Sequence, residues 1–344
     1  MNNYIHKIKE ALKVFLKDPL FLRHWEMPYY SRNRNDNQLS VRAGYSGGKL
    51  YHYNGDGNNF VQNIYTGIMP FTHMVGQREK YPVKVEPASP QKEKLLASGI
   101  SNRSYPTFLA DALYDFVRTT SHSLFMYGVT LFEVVYEKDT AGNITSFHFE
   151  YLDEKYLFRF SGNYYQIIPW WVAQKSHVRV QIAKIPIEKI LRIDFPKELG
   201  GKRRLQKMLK RLWELSKEII PKFQMDAMGQ NSNIGFNFED YKRGRYLEAA
   251  STTSRFGWNQ GQTSTNYITE YYWFLRYIRE VKAQTIIRDT VISRLNDFFS
   301  GSLLNLGTRV SIENLPTLAK IEEQEKLMRE GNVKFIDVFN SLKI

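Results

Sequence analysis

Catalysis needs nucleophiles, acid–base pairs or metal ligands at spacings that let them converge, and this 344-residue chain offers few such arrangements. Its seven histidines, His6, His24, His52, His73, His122, His148 and His177, never stand three or four residues apart, so no helical metal site is written into them. The lack of cysteine excludes disulfides, thiolate catalysis and cysteine-bound zinc, and suits a reducing cytoplasm. Carboxylates do gather, as Glu133, Glu137, Glu150, Asp153 and Glu154, a set whose oxygens could hold Mg²⁺ for phosphoryl chemistry. On alternating strands the same residues are expected instead as the solvent-facing members of a half-exposed sheet. No glycine loop ends in Gly-Lys-Ser/Thr, no dinucleotide fingerprint is present, and "GYSGG" at 44–48 lacks the strand and helix that flank a nucleophile elbow. The expectation is of no enzyme, no cofactor and no metal.

Positive charge is what the chain has in excess. The formal net charge is +13, which argues for a polyanionic partner, nucleic acid before a membrane surface. The charge is densest in "GGKRRLQKMLKRLWELSKEIIPKF", residues 200–223. A helix started by Gly200-Gly201 and ending near Phe223 would be about 36 Å long. It would put Leu205, Leu209, Leu212, Ile219 and Phe223 on one stripe and Arg203, Lys207 and Lys210 on another, with Arg204 and Arg211 beside it. Cations in the first turns oppose the helix dipole, which invites an external anion; a merely solvated basic face is the competing reading. A second set, Lys242, Arg243, Arg245 and Arg255, lies among glycine, serine and aromatic residues in 229–265. That interval reads as a flexible loop able to meet phosphates through charge.

The elements that must position these residues follow from periodicity. Residues 2–17 form an amphipathic helical pattern stopped by Asp18-Pro19, and 31–59 is polar and rich in Asn and Gly, read as an arm or loops. A buried helix is expected from Ser104-Tyr105-Pro106 to Gly128, followed by an antiparallel sheet over 129–195 that includes the hairpin turn "DTAGN". A long helical tract occupies 266–299 and is expected to bend or break, because its period outlasts one small core. A short strand in "TRVSIENLP", a helix, a Gly331-Asn332 turn and a second short helix close the chain. The fold class is α+β. No apolar run is long enough to span a bilayer and no signal-peptide pattern opens the chain, so it reads as soluble and unprocessed.

In this order the chain resembles the portal proteins of tailed bacteriophages, over about residues 105–344. Four stretches carry the resemblance: "LFMYGVTLFEVVYE", "ITSFHFEYLDEKYLFRF", "IPIEKILRIDFPKELGGKRRLQKMLKRLWEL" and "VSIENLPTLAKIEEQEKLMREGNVKFIDVFNSL". Their order and spacing, rather than one diagnostic signature, make the match.

The resemblance implies a homo-oligomeric ring, usually of twelve subunits, at one capsid vertex of the virion, assembled in the host cytoplasm. Double-stranded DNA would pass through it non-specifically during packaging and ejection, with the major capsid protein, terminase and neck or adaptor proteins as partners and no membrane. It divides the chain into an N-terminal helix and arm (1–104), an α/β wing with an antiparallel or mixed sheet (105–200), a first stem helix (201–228), a clip or loop region (229–265), a second stem or long helical tract (266–300), and a return strand with C-terminal helices (301–344). Lys202, Arg203, Arg204, Lys207, Lys210, Arg211, Lys242, Arg243, Arg245 and Arg255 become candidates to face the DNA channel. The interval 229–265 is short for a clip plus a channel loop. Another ring-forming connector or baseplate component would share these features, and a metal-dependent nucleic-acid-processing enzyme using Glu150 and Asp153 is the third reading.

Overall fold

The computed structural model describes residues 29–32, 39–42, 56–70, 76–101, 108–152, 154, 157–167, 182–217, 238–259 and 268–343. Its helices, in chain order, are α1 (Asp56–Thr66), α2 (Gln77–Lys80), α3 (Pro90–Ile100), α4 (Leu109–Tyr127), α5 (Gly201–Lys217), α6 (Phe238–Thr252), α7 (Glu270–Ser300), α8 (Leu318–Arg329) and α9 (Phe335–Leu342). The strands are β1 (Tyr29–Arg32), β2 (Leu39–Arg42), β3 (Val83–Glu86), β4 (Val129–Lys138), β5 (Ile144–Leu152), β6 (Leu157–Phe160), β7 (Asn163–Ile167), β8 (Ile182–Pro186), β9 (Ile190–Asp194) and β10 (Arg309–Ile312). Every described pairing is antiparallel, which with the helices makes the fold α+β.

Among the described residues the expected single sheet over 129–195 is divided into two. One has the order β5-β4-β9 and the other β6-β7-β8. The alternation of β4 explains the division. Phe132 and Val134 point into the main core with α4, whereas Val129 and Leu131 join Leu152, Leu157, Tyr164, Ile185 and Ile190 in a second cluster between the sheets. The sheet is therefore covered on both sides, and residues 129–134 of β4 are all buried.

The helix expected from Ser104 begins at Leu109, and residues 102–107 lie outside the described set. It stops where expected: Gly128 takes φ 74° and its N–H closes onto the Leu124 carbonyl. The tract expected to bend is one uninterrupted helix of 31 residues, α7. It carries neither Gly nor Pro and serves two cores in succession, so its apolar period needs no break. Its first half packs Phe274, Leu275, Ile278 and Val281 against Ile321, Met328, Val338 and Leu342 of α8 and α9. Its second half sends Ile287, Val291, Leu295 and Phe299 into the main core. Thr269 and Thr317 cap α7 and α8 by accepting from the backbone N–H three residues on, and Gly331 turns the chain from α8 towards α9.

Two further expectations are corrected. The arm read over 31–59 contains β1 and β2, paired as a small ribbon, and the start of α1, whose Phe60 reaches the core. The interval 229–265, read as loop, contains the 15-residue α6, whose narrow buried strip is Tyr246, Ala249 and Ala250. The amphipathic pattern at 2–17 and the end of the expected helix at 218–223 lie outside the described residues.

Candidate nucleic-acid interface

The basic helix α5 is mounted by its apolar stripe. Leu205, Leu209, Leu212 and Leu215 are all buried in the main core, at the i, i+4, i+7, i+10 spacing that defines one face. Its N-terminus abuts the α4–β4 junction: a Cβ on Gly128 would lie 2.4 Å from Lys202 Cγ. Its C-terminal half is held to α1, where Ser216 Oγ accepts from the Asp56 N–H at 2.8 Å.

That mounting splits the candidate cations into two kinds. Arg203, Lys207 and Lys210 are exposed on the opposite face, and Arg204 is exposed on its flank. Lys210 has Glu214 3.7 Å away, and among the described residues the other three have no ion-pair partner. Lys202 is paired with Glu154, and Arg211 with Glu248 of α6 and, at 3.5 Å, Glu214. These two fasten α5 to its neighbours.

The second set also divides. Arg245 is half-buried and donates to Asp56 at 3.0 Å and to the Leu215 carbonyl at 2.9 Å, joining α6, α1 and α5. Lys242 pairs with Glu239 one turn back at 2.5 Å. Arg243 is exposed on α6 and Arg255 on the turn after it, about a dozen residues apart and not one cluster. The structure thus brings Arg203, Arg204, Lys207 and Lys210 together and assigns Lys202, Arg211, Lys242 and Arg245 to fastenings within the molecule.

Arg255 lines an open groove of about 940 Å³. Its floor is a stripe of α7 from Arg279 through Ala283, Ile286, Thr290 and Ser293 to Asp297. One wall is α8; Glu198, Leu199, Ser254 and Arg255 lie on the other side. Lys282 and Arg294 in this groove are paired with Glu322 and Asp297, but Arg279, like Arg255, has no ion-pair partner among the described residues. The cations of α7 were not singled out in the sequence. Their spacing, Arg276, Arg279 and Lys282 three residues apart, was the available signal. It could not separate Arg276 and Arg288, both buried and donating to backbone carbonyls, from the accessible Arg279.

The carboxylates expected at the surface are not all there. Glu133 and Glu150 face each other across β4 and β5 and are each only 1% exposed, because the second sheet covers that face. Burial, and then the charge of Glu150, pushes the Glu133 carboxyl up to about 7. Its Oε1 has no hydrogen-bond partner among the described residues, while Glu150 lies 3.2 Å from His148 Nε2. Glu137 is exposed, Glu154 is engaged with Lys202, and Asp153 lies outside the described residues. Among the described residues no three His, Asp or Glu side chains come together as a metal site would require, and no helix is long and apolar enough to cross a membrane.

Compared with known proteins, the chain matches no family model and no curated protein.

Proposed function

We propose that the chain is a subunit of a portal-like ring through which double-stranded DNA slides, and that Arg203, Arg204, Lys207 and Lys210 are its principal DNA-facing cations. The observation that carries this reading is the exposed band itself: four cations within two turns, on a helix whose opposite face is locked into the core. The lone Glu214 at its far end leaves most of that charge uncompensated. Such a band is about 10 Å long, so one subunit meets only a few phosphates. Binding by a single copy is then weak, and contact becomes useful when the band is repeated around a closed assembly. Phosphate contacts without base readout suit a conduit, since they hold DNA in register with no sequence and let it move.

In this reading the molecule is structural and non-enzymatic, acts at one vertex of a phage capsid, and docks terminase, capsid and neck proteins. Two measurements test it. Single-particle imaging with mass measurement of the purified chain should give closed rings with an opening wide enough for duplex DNA; a stable monomer under all conditions, including with capsid and scaffold proteins present, overturns it. DNA binding followed against salt should show a slope that shrinks by roughly 0.9 for each lost phosphate contact. The K207E/K210E pair should therefore reduce the slope by about 2 per subunit engaged, with the assembly intact. An unchanged slope removes the band from the DNA path.

A further inference from the structure

The groove of about 940 Å³ along α7 has an apolar part, where Ala283 and Ile286 of its floor lie beside Leu199 and Leu318. Most of its charges are matched: Lys282 with Glu322, Arg294 with Asp297, Asp289 with Arg288 and Glu325 with Arg329. Among the described residues that leaves Arg255 and Arg279 against Glu198 alone, so the unmatched charge of the groove is positive. Both arginines are held in place. Arg255 rides on the turn 253–259, which is seated on α7 so closely that a Cβ on Gly257, at φ 65°, would lie 1.9 Å from the Arg276 carbonyl oxygen and 2.7 Å from Arg279 Cβ. The Arg276 guanidinium, 1% exposed, fixes that turn by donating to the Ala250 carbonyl at 2.9 Å and to Asn259 Oδ1 at 3.0 Å. The groove is thus formed before anything enters it, which lowers the cost of binding.

On the other side of α7 stands α9. Its inner face packs on the long helix, with Phe335 stacked on Phe274 at 5.1 Å and Phe339 against Tyr277 at 5.1 Å. By helical spacing Ile336, Asp337 and Asn340 point the other way, and all three are exposed. Ile336 is 56% exposed although apolar, and no ion pair engages Asp337 among the described residues. An isoleucine beside a carboxylate complements an apolar floor beside two unmatched arginines in both shape and charge. DNA fits the groove less well, because a polyanion would also meet the carboxylates of its lining.

We propose that the outer face of α9 in one copy of the chain docks into the α7 groove of the next, with Ile336 on Ile286 and Leu318 and with Asp337 between Arg255 and Arg279. At about 3.6 residues per turn, Phe274 and Tyr277, which carry α9, lie roughly half a turn around α7 from Arg279, Ile286 and Thr290, which floor the groove. A copy therefore cannot fill its own groove with its own α9, and a second copy can. Two different patches on opposite sides make a head-to-tail contact, the kind that closes into a ring when the rotation between copies allows it. The contact rests on the reading of the chain as a ring subunit and names the surfaces through which the copies join.

The chain contains no cysteine, so two introduced thiols report on this contact alone. A disulfide forms only where two Cα atoms come within about 7 Å. Full-length I286C/I336C, assembled and mildly oxidised, should therefore give a ladder of covalently linked copies, while I286C and I336C singly should give none. Dimers from I336C alone would mean that two α9 faces meet each other, and would overturn the proposal. Charge reversal gives a second readout: Arg255→Glu or Asp337→Arg should raise the concentration needed for half assembly by about tenfold or more, and R255E/D337R together should recover most of that loss. Mass measured across a dilution series reads these effects, with thermal unfolding of each variant as the check that it folds. If the wild type assembles and both reversals assemble as well as it does, or the double-cysteine assembly gives no ladder, this contact is overturned and the ring reading stands. A wild type that stays monomeric under all conditions, including with capsid and scaffold proteins present, overturns both.

Discussion

Glu133 occupies a position that alternation alone would place in water, and its burial has a measurable cost. Its carboxyl is raised to about 7, so the stability it permits is complete below pH 4.5 and is lost as pH rises through about 7. A shift of that size corresponds to about 3 kcal/mol at most. Thermal unfolding should therefore show a midpoint that falls between pH 5 and pH 8, and E133Q should flatten that part of the profile. At Gly257 the constraint is steric. A methyl group there would enter the backbone of α7 in a conformation unfavourable to any L residue, so Gly257→Ala should cost on the order of 3 kcal/mol in urea denaturation. At both residues the sequence withholds the reason. A glutamate on an alternating strand looks solvent-facing unless a second sheet is known to lie over it, and Gly257 gains its meaning from a helix that begins 13 residues later at Glu270.

At the scale of elements, α5 separates a fastening face from a free one, and the two should respond differently to truncation. Leu209→Ala should destabilise the protein by about 2–5 kcal/mol, whereas Lys207→Ala should stay within about 0.5 kcal/mol. Chemical denaturation of the two variants checks this, and equal effects would place Lys207 in a packed site. The stripe of α5 was legible because Leu205, Leu209 and Leu212 repeat at the helical period beside a run of cations. The hairpin β4–β5, the end of α4 at Gly128 and the closing strand and helices were legible for the same kind of reason, a strong local period with a glycine or turn at its end. Helix α6 was not, because only Tyr246, Ala249 and Ala250 face inward, Gly244 interrupts the pattern, and tertiary packing supplies what propensity lacks. Among the candidate cations the sequence located the band but could not sort it. Whether an arginine faces solvent or an acid such as Asp56, nearly 190 residues away for Arg245, is settled by folding at long range.

At the scale of the whole molecule, the main core is built from widely separated parts of the chain. Phe60 of α1 packs against Phe125, Phe256 and Trp258, and Gln284 of α7 donates to the Ile64 carbonyl of α1. The same is true of one of the two-stranded sheets, in which β3 pairs, among the described residues, with β10 alone. From Glu86 to Arg309 is 309 − 86 = 223 residues, so on a ribosome adding about 5–20 residues per second β3 waits roughly 10–45 s for its partner to be made. Throughout that interval its backbone edge is open to any other nascent strand. The alternation of Val83 and Val85 with Lys84 and Glu86 fits that exposure: the charges discourage pairing with a stranger, and Lys84 later finds Glu313 at 2.6 Å. A chain stopped before Arg309 should accordingly leave the ribosome with an unsatisfied edge and a greater tendency to aggregate, and supplying residues 302–344 as a separate fragment should relieve it.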